Sequence, residues 1–379
     1  MSLVESRGRQ HAVAAWPLWR QFADRPLWVL WGYLLLIAAA ELVTSLVRPQ
    51  LGMLMHALLL ASLTIRGGLG QHDAERRFTL ALALAPLIRL LSLALPLTHF
   101  PQLAWYPIVA APLLLATGII IRQVQLSRTD LGLRPGNLLL QLLLMGGGLG
   151  LGAVEYWILA PAPLIADYSW NAFLLAALTL VVATGFSEEL IFRGVLQAVA
   201  LPALGRWALV YVSLLFAALH IGYLSAIDVV FVFGVGWLFA HIVRWSGSIL
   251  GVSLAHGTTN VTLFLIMPYL AQQPAAMIAA AAPWAIWGGT AIAVIAIDVV
   301  MLRSLIRQAA QPGAPSGTGI RALRRKAGLT YTDLAQRTGI PARMLAEIEH
   351  GLRPLQPEHL RRIAQGLGVA PHTLTTAAQ

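Results

Sequence analysis

The sequence predicts an all-α, polytopic membrane protein of about ten transmembrane helices, followed by a small helical module outside the membrane. Of the 379 residues, 58% are apolar and only 11% are charged, with a mean hydropathy of +0.72. Soluble domains carry about 25% charged residues. In addition, apolar stretches of about 17 to 25 residues, the length that crosses a bilayer as a helix, recur along most of the chain.

Ten apolar stretches are predicted to form the membrane helices. They lie near residues 27–47, 51–65, 78–97, 104–121, 138–160, 171–199, 206–222, 226–243, 248–266 and 283–303. The first stretch is too long for the apolar core of a signal peptide, so an uncleaved helix is favoured. We divide this part into N-terminal helices (1–124), a core domain (125–270) and a final helix (271–310).

Arginines between the helices predict their orientation. One set of connections is basic: Arg66, Arg76, Arg77, Arg122, Arg128, Arg134, Arg206, Arg244, Arg303 and Arg307, with Arg48 on the other side as the exception. The opposite connections at 99–105 and 266–283 contain neither Lys nor Arg. The positive-inside rule then places both termini in the cytoplasm, and a bacterial cytoplasmic membrane is the expected location.

Six polar residues interrupt the apolar helices of the core domain. They are Glu188, Glu189, Arg193, His220, His256 and Asn260. A charge at the centre of a membrane helix costs about 2.5 to 3.5 kcal/mol, so these groups are expected to face one another in an interior cavity. Two antiparallel helices joined near residues 201–205 would bring Glu188 and His220 to a similar depth, at about 1.5 Å per residue.

A carboxylate beside two imidazoles suits hydrolysis. Glu188 is a candidate general base for a water molecule, or Glu188, His220 and His256 are candidate ligands of a zinc ion that activates it. Asn260, with His256, is a candidate donor to an oxyanion. Chain chemistry alone leaves two alternatives open, namely polar contacts between helices and the proton path of a transporter. The chain has no cysteine, which excludes thiolate nucleophiles and thiolate metal ligands.

Other polar and glycine positions are assigned to packing. Glu189 and Arg193, four residues apart, are expected to form an ion pair that orients their helix and supports the site. Glu41 and Arg89 are expected to pair across the first and third helices, outside the site. The glycines of Gly146–Gly152 lie inside an apolar span, so they are predicted to permit close helix packing.

Three motifs around the polar residues occur in a recognisable order. They are Gly185-Phe-Ser-Glu-Glu-Leu-Ile-Phe-Arg-Gly194, Leu215-Phe-Ala-Ala-Leu-His220 and Gly247-Ser-Ile-Leu-Gly-Val-Ser-Leu-Ala-His-Gly-Thr-Thr-Asn260. Together they resemble the motifs of the CAAX protease and bacteriocin-processing (CPBP) family of intramembrane proteases. Asp130-Leu-Gly-Leu-Arg134 resembles the stretch that often opens this domain, so the resemblance covers about 125–270.

The resemblance implies an endopeptidase that cleaves peptide or protein substrates within or near the bilayer. By position, it implies that Glu188 activates water and that His220 assists. His256 with Asn260 would either stabilise the oxyanion or supply a third metal ligand. The resemblance leaves open whether zinc is used or whether the glutamate acts without a metal.

The composition changes at Gln311–Gly319, an uncharged Pro- and Gly-rich stretch that is predicted to be a flexible linker. Residues 320–379 then contain nine Lys or Arg against four Asp or Glu. Thr330 is predicted to cap a helix that ends at Gly339, and Pro341 to open the next helix.

This C-terminal pattern resembles a Cro/repressor-type helix-turn-helix domain. Such domains read DNA with their third helix, and Arg343, Arg337 and Arg353 are the candidate DNA contacts. The third helix offers few other donors for base edges, so protein docking is the alternative. The fusion suggests an intramembrane endopeptidase whose cleavage near 311–319 releases a DNA-binding domain. The competing interpretation is a non-catalytic membrane sensor that regulates transcription.

Overall fold

The described part of the protein is helical. The computed structural model describes residues 27–70, 73–273, 317–351, 353 and 355–376, with isolated positions 275, 283 and 288. Within these ranges the chain forms helices and their connections and contains no β-strand. The predicted all-α fold class is therefore confirmed.

The helices follow one another through short connections. The N-terminal helices are α1 Leu27–Leu46, α2 Pro49–Leu69, α3 Asp73–Leu82, α4 Leu84–Ala94, α5 Gln102–Gln123 and α6 Leu138–Leu159. Next come α7 Trp170–Thr179, a π-helix at Leu180–Phe186, α8 Ser187–Glu189, a π-helix at Leu190–Leu196, α9 Gln197–Leu204 and α10 Ala208–Ala218. They are followed by α11 Ala226–Ser246, α12 Leu250–Val261, a π-helix at Thr262–Ile266 and α13 Met267–Ala271. The C-terminal helices are α14 Gly317–Lys326, α15 Tyr331–Thr338, α16 Ala342–Glu349, α17 Pro357–Leu367 and α18 Pro371–Thr376.

Eight helical segments among the described residues are long and apolar enough to cross a membrane. One of them, Trp170–Tyr223, has 54 residues and contains both helices predicted at 171–199 and 206–222. The tenth predicted helix, 283–303, lies outside the described residues. The multi-pass architecture is confirmed, whereas the count of ten stays a prediction.

The 54-residue segment folds back on itself at Gly205, whose backbone φ of +57° falls in the region that favours glycine. Phe192 and Phe216, each 12 residues from Leu204, stack edge to face with ring centroids 4.9 Å apart. The two arms are therefore antiparallel, as the sequence predicts. Glu188 and His220 are each 16 residues from Leu204, so they come to the same depth.

Two glycines of α6 allow α12 to pack against it without intervening side chains. A Cβ atom at Gly148 would lie 2.3 Å from the carbonyl oxygen of Ala255, and one at Gly152 would lie 2.3 Å from that of Thr259. Neither position can carry a larger residue without moving a backbone. The predicted packing role of this glycine-rich stretch is confirmed.

The C-terminal helices form the expected small domain. Thr330 accepts a hydrogen bond from the backbone N–H of Asp333, whose carboxylate accepts one from the N–H of Thr330 at 2.9 Å. This reciprocal cap begins α15. The hydrogen bonds that the Thr330 hydroxyl, at 2.7 Å, and its backbone N–H donate to the Asp333 carboxylate hold the pKa of Asp333 below its usual range. Helix α14 starts at Gly317, inside the predicted linker, and residues 311–316 lie outside the described part of the chain.

We expect Gly152→Ala to lower the stability of the protein, because the added methyl group would overlap the carbonyl oxygen of Thr259. Overpacking of this kind costs about 1 to 3 kcal/mol. The readout is the midpoint of thermal unfolding in detergent micelles. Gly118→Ala in α5 is the matched control, since its Cβ would meet nothing within 4 Å. Equal midpoints for the two variants would argue against a packing role for Gly152.

Candidate active site

A cavity of about 320 Å³ lies beside the turn of helix that carries Glu188. The residues that line it are Ile88, Arg89, Glu188, Phe192, Phe216, Leu219, His220, Gly222 and Tyr223. Glu188 and His220 therefore share one cavity, as their predicted depth requires. Glu188 keeps 32% of its side chain exposed, so its carboxylate is accessible to water and to a substrate.

Glu188 and Glu189 lie between two π-helical stretches, Leu180–Phe186 and Leu190–Leu196. Such insertions are rare and often occur at functional sites, because they shift the side chains that follow relative to a regular α-helix. Gly185 precedes the glutamates, and a Cβ atom there would lie 2.6 Å from the backbone nitrogen of Gly257. The two glycines let α12 approach closely, which brings His256 to the glutamates.

Glu189 is the centre of a buried hydrogen-bonded group. Its Oε1 atom accepts hydrogen bonds from Nη1 of Arg193 at 2.8 Å and from Nδ1 of His256 at 2.9 Å. The side chains of Glu189 and Arg193 are fully buried, which confirms the predicted ion pair. Nδ1 of His256 is hydrogen-bonded to Glu189, and Nε2 of the same ring lies 3.9 Å from Oε2 of Glu188. Glu189 thus fixes which nitrogen of the imidazole faces Glu188.

Phe216 positions two of the site residues. Nδ1 of His220 lies 2.8 Å from the carbonyl oxygen of Phe216. A carbonyl only accepts hydrogen bonds, so Nδ1 carries the proton and Nε2 is left as an acceptor. The guanidinium of Arg193 lies 4.3 Å from the centroid of the Phe216 ring, a cation–π contact that stabilises its buried charge.

Asn260 contacts the helix of the glutamates through Thr184. Its Nδ2 atom donates to Oγ1 of Thr184 at 2.8 Å, and it does not line the cavity. Shared contacts or the shared cavity link five of the six predicted residues, and Asn260, one helical turn beyond His256, has its contact with Thr184. The predicted oxyanion role of Asn260 stays a prediction. The sequence analysis did not predict Thr184 as a site residue, although its position four residues before Glu188 puts it on the same side of the helix.

Arg89 belongs to the cavity, which corrects the prediction that it lies outside the site. Its Nε atom donates to Oε1 of Glu41 at 2.7 Å, so the predicted pair between the first and third helices is present. Its Nη2 atom also donates to the carbonyl oxygen of Leu219 at 2.8 Å. These contacts hold the guanidinium against the wall that it shares with Glu188 and His220.

The arrangement does not match a preformed metal site. Within the described ranges, no group of three His, Cys, Asp or Glu side chains has the spacing needed to hold a metal ion. The zinc ligand set of Glu188, His220 and His256 that the sequence suggests is thus not assembled.

Two family models match the chain. Residues 170–262 match the type II CAAX prenyl endopeptidase Rce1-like family, and residues 320–374 match the helix-turn-helix family HTH_3. Two separate regions of the chain are therefore each similar to a known family. No curated protein and no solved structure matches it. The Rce1-like match contains all six predicted site residues, and the fusion joins an intramembrane endopeptidase domain to a regulatory DNA-binding domain. Arg89 lies outside the matched region.

We expect Thr184→Val to lower kcat for peptide hydrolysis to an extent similar to Asn260→Ala, because both changes break the hydrogen bond that orients the Asn260 amide. Removal of one oxyanion donor costs about 10²- to 10³-fold in kcat. Thr184→Ser keeps the hydroxyl group and serves as the control, with a kcat near that of the wild type. A Thr184→Val variant with full activity would show that this hydrogen bond does not orient a catalytic group.

Proposed function

We propose that the Rce1-like domain hydrolyses peptide bonds of membrane-associated substrates with a water molecule that Glu188 activates. The observation that carries this proposal is the partly exposed side chain of Glu188 in a cavity that it shares with His220, with Nε2 of His256 3.9 Å from Oε2 of Glu188. A carboxylate in this setting can accept a proton from water and later return it.

In the reaction, the carboxylate of Glu188 takes one proton from water while the water oxygen attacks the carbonyl carbon of the scissile bond. The resulting tetrahedral intermediate carries its negative charge on the former carbonyl oxygen. Glu188 then transfers its proton to the leaving nitrogen, the C–N bond breaks, and an amine and a carboxylic acid are released. Nε2 of His220, which is free to accept, holds the attacking water against Glu188.

His256 and Asn260 lie on the same face of α12 and are assigned to the developing oxyanion. Nδ1 of His256 donates to Glu189, so Nε2 faces Glu188 and can donate to an oxyanion only while the ring is an imidazolium ion. Asn260 uses one N–H bond on Thr184 and retains a second. Donors fixed in advance stabilise an oxyanion without the cost of reorganisation.

Arg89, which is paired with Glu41, places its guanidinium on the wall of the cavity that Glu188 lines. Its Nε and Nη2 atoms donate hydrogen bonds to Glu41 and to the carbonyl oxygen of Leu219, and 20% of its side-chain surface is exposed. We assign it to an anionic group of the substrate, with the terminal carboxylate of a peptide as the simplest case. A charge-assisted hydrogen bond to a carboxylate would fix the distance between the chain end and the scissile bond.

The orientation with the arginine-rich connections in the cytoplasm is part of the same proposal. The helix-turn-helix domain contacts the membrane helices at this end of the molecule, since Arg77 donates to Thr332 at 3.0 Å. A DNA-binding domain has access to DNA only from the cytoplasm. The charge pattern and the position of the domain therefore support one orientation.

We expect Glu188→Gln to slow hydrolysis at least about 10²-fold, because an amide cannot accept the proton of water. The measurement compares new N- and C-terminal peptides in membranes that carry the wild type or the variant. Glu358→Gln makes the same chemical change at a position that is 74% exposed and should leave the cleavage products unchanged. Identical termini in the wild type and Glu188→Gln, with both inserted and folded, would favour the non-catalytic sensor.

For Arg89, we expect a substrate with a free C-terminal carboxylate to have a lower KM than the same peptide with an amidated C-terminus. Arg89→Gln should remove this difference, mainly by raising KM for the free acid, whereas Arg89→Lys should retain part of it. Steady-state kinetics of the two peptides against the three proteins provides the test. A preference for the free acid that persists in Arg89→Gln would assign carboxylate binding to another residue.

A further inference from the structure

The third helix of the helix-turn-helix domain is buried in this structure. Seven of the eight residues of α16 are buried, and they are Ala342, Arg343, Leu345, Ala346, Glu347, Ile348 and Glu349. A domain that reads DNA inserts the outer face of this helix into the major groove. Leu345 and Ile348 belong to the apolar core, but burial of the charged residues Arg343 and Glu347 requires a further partner. That partner is the Rce1-like part of the same chain together with the segment before it.

Asp130 contacts the start of α16. Its Oδ1 atom accepts a hydrogen bond from the backbone N–H of Arg343 at 3.3 Å. Its Oδ2 atom is held by the hydroxyl and the backbone N–H of Ser127, at 2.6 and 3.0 Å. A carboxylate fixed in this way near the free N–H groups of a helix N-terminus makes a favourable electrostatic contact. In a DNA complex, a phosphate group would occupy the same kind of position.

The arginines predicted to contact DNA are engaged in this interface. The carboxylate of Glu347 accepts hydrogen bonds from Nε of Arg343 at 3.2 Å and from Nε of Arg353 at 2.7 Å. Nη2 of Arg353 then donates to the carbonyl oxygen of Arg244, at the end of membrane helix α11, at 3.0 Å. Burial lowers the pKa of Arg343, and the adjacent Glu347 counteracts this shift. Of the three predicted DNA contacts, Arg337 is exposed.

The second helix of the motif is docked as well. Nη1 of Arg77 in α3 donates to the hydroxyl of Thr332 at 3.0 Å. His350, which follows α16, lies close to the turn at Gly205, where the 54-residue helical segment folds back into a hairpin. A Cβ atom on Gly205 would lie 2.9 Å from Nδ1 of His350. Both helices that define the DNA-binding motif therefore contact the membrane domain, on the side where the loop arginines cluster.

We propose that the α15–α16 face of the helix-turn-helix domain is an interaction surface for the arginine-rich end of the membrane domain, and that this end and DNA compete for it. The two partners exclude each other because Asp130 and Arg244 occupy the face that the major groove would cover. DNA binding by the intact chain then requires the domain to undock. The observed affinity for DNA is reduced by the fraction of molecules that are undocked.

The docked arrangement can be trapped chemically because the chain contains no cysteine. A full-length variant with Arg77→Cys and Thr332→Cys, reconstituted in lipid nanodiscs, should be cross-linked in high yield by a short bismaleimide. The control pair is Arg77→Cys with Arg337→Cys, since Arg337 is exposed and lies about 140° around the same helix. A Glu188→Gln background keeps proteolysis from cutting the chain, so the result does not depend on the proposed hydrolysis.

Competition is measured with a mixed-sequence DNA duplex at fixed salt, because nonspecific affinity depends strongly on ionic strength. DNA should lower the cross-linking yield of the Arg77–Thr332 pair, and the cross-linked protein should bind the duplex at least tenfold more weakly by fluorescence anisotropy. Asp130→Arg places a cation against Arg343 and should raise DNA affinity at least tenfold. Asp167→Arg, in an exposed connection, should leave it unchanged.

Three results would each overturn the proposal. One is a cross-linking yield that is no higher than that of the control pair, since the domain would then not be docked. Another is equal DNA affinity of the cross-linked and uncross-linked proteins, which would mean that DNA uses a different surface. The third is an absence of DNA binding by every variant, including Asp130→Arg, which would make the surface a docking site alone.

Discussion

The structure depends on one buried ion pair, between Glu189 and Arg193. Two charges inside a membrane protein are tolerated only when each is paired and hydrogen-bonded. Here Oε1 of Glu189 binds both Arg193 and His256, and the ring of Phe216 covers the guanidinium at 4.3 Å. These partners come from three separate helical segments. Loss of either charge would leave the other uncompensated, so the pair holds the hairpin and α12 in one relative position.

Close backbone packing at four glycines also holds α12 in place, in addition to the ion pair. Gly185 and Gly257 remove the side chains that would separate the glutamate helix from α12, while Gly148 and Gly152 do the same between α6 and α12. In a bilayer, apolar side chains gain little from leaving lipid, so helix association relies on such close packing and on polar contacts. The result is a rigid wall on one side of the cavity, against which His256 has a single hydrogen-bonded orientation.

The same helical arm connects the two functional regions. Glu188 and Glu189 lie near the cavity, and α9, which ends at Leu204, packs against α16 of the helix-turn-helix domain. About 16 residues separate the two contacts, or roughly 24 Å of helix. The two contacts are therefore connected by packed helix rather than by a loop. This continuity gives a physical route by which substrate in the cavity and docking of the domain can influence each other.

The sequence by itself determined the fold class, the hairpin and five of the converging site residues. Membrane burial makes polar residues such as Glu188 and His220 conspicuous, and helical spacing fixes their depth. The sequence also supplied the cap at Thr330, because capping is local. Only the tertiary structure decided that Arg89 lines the cavity 99 positions before Glu188, that Thr184 holds Asn260, and that Arg343 and Arg353 are turned toward the membrane domain. Each of these depends on contacts between segments distant in the chain, and such contacts leave no periodic signal in a single sequence.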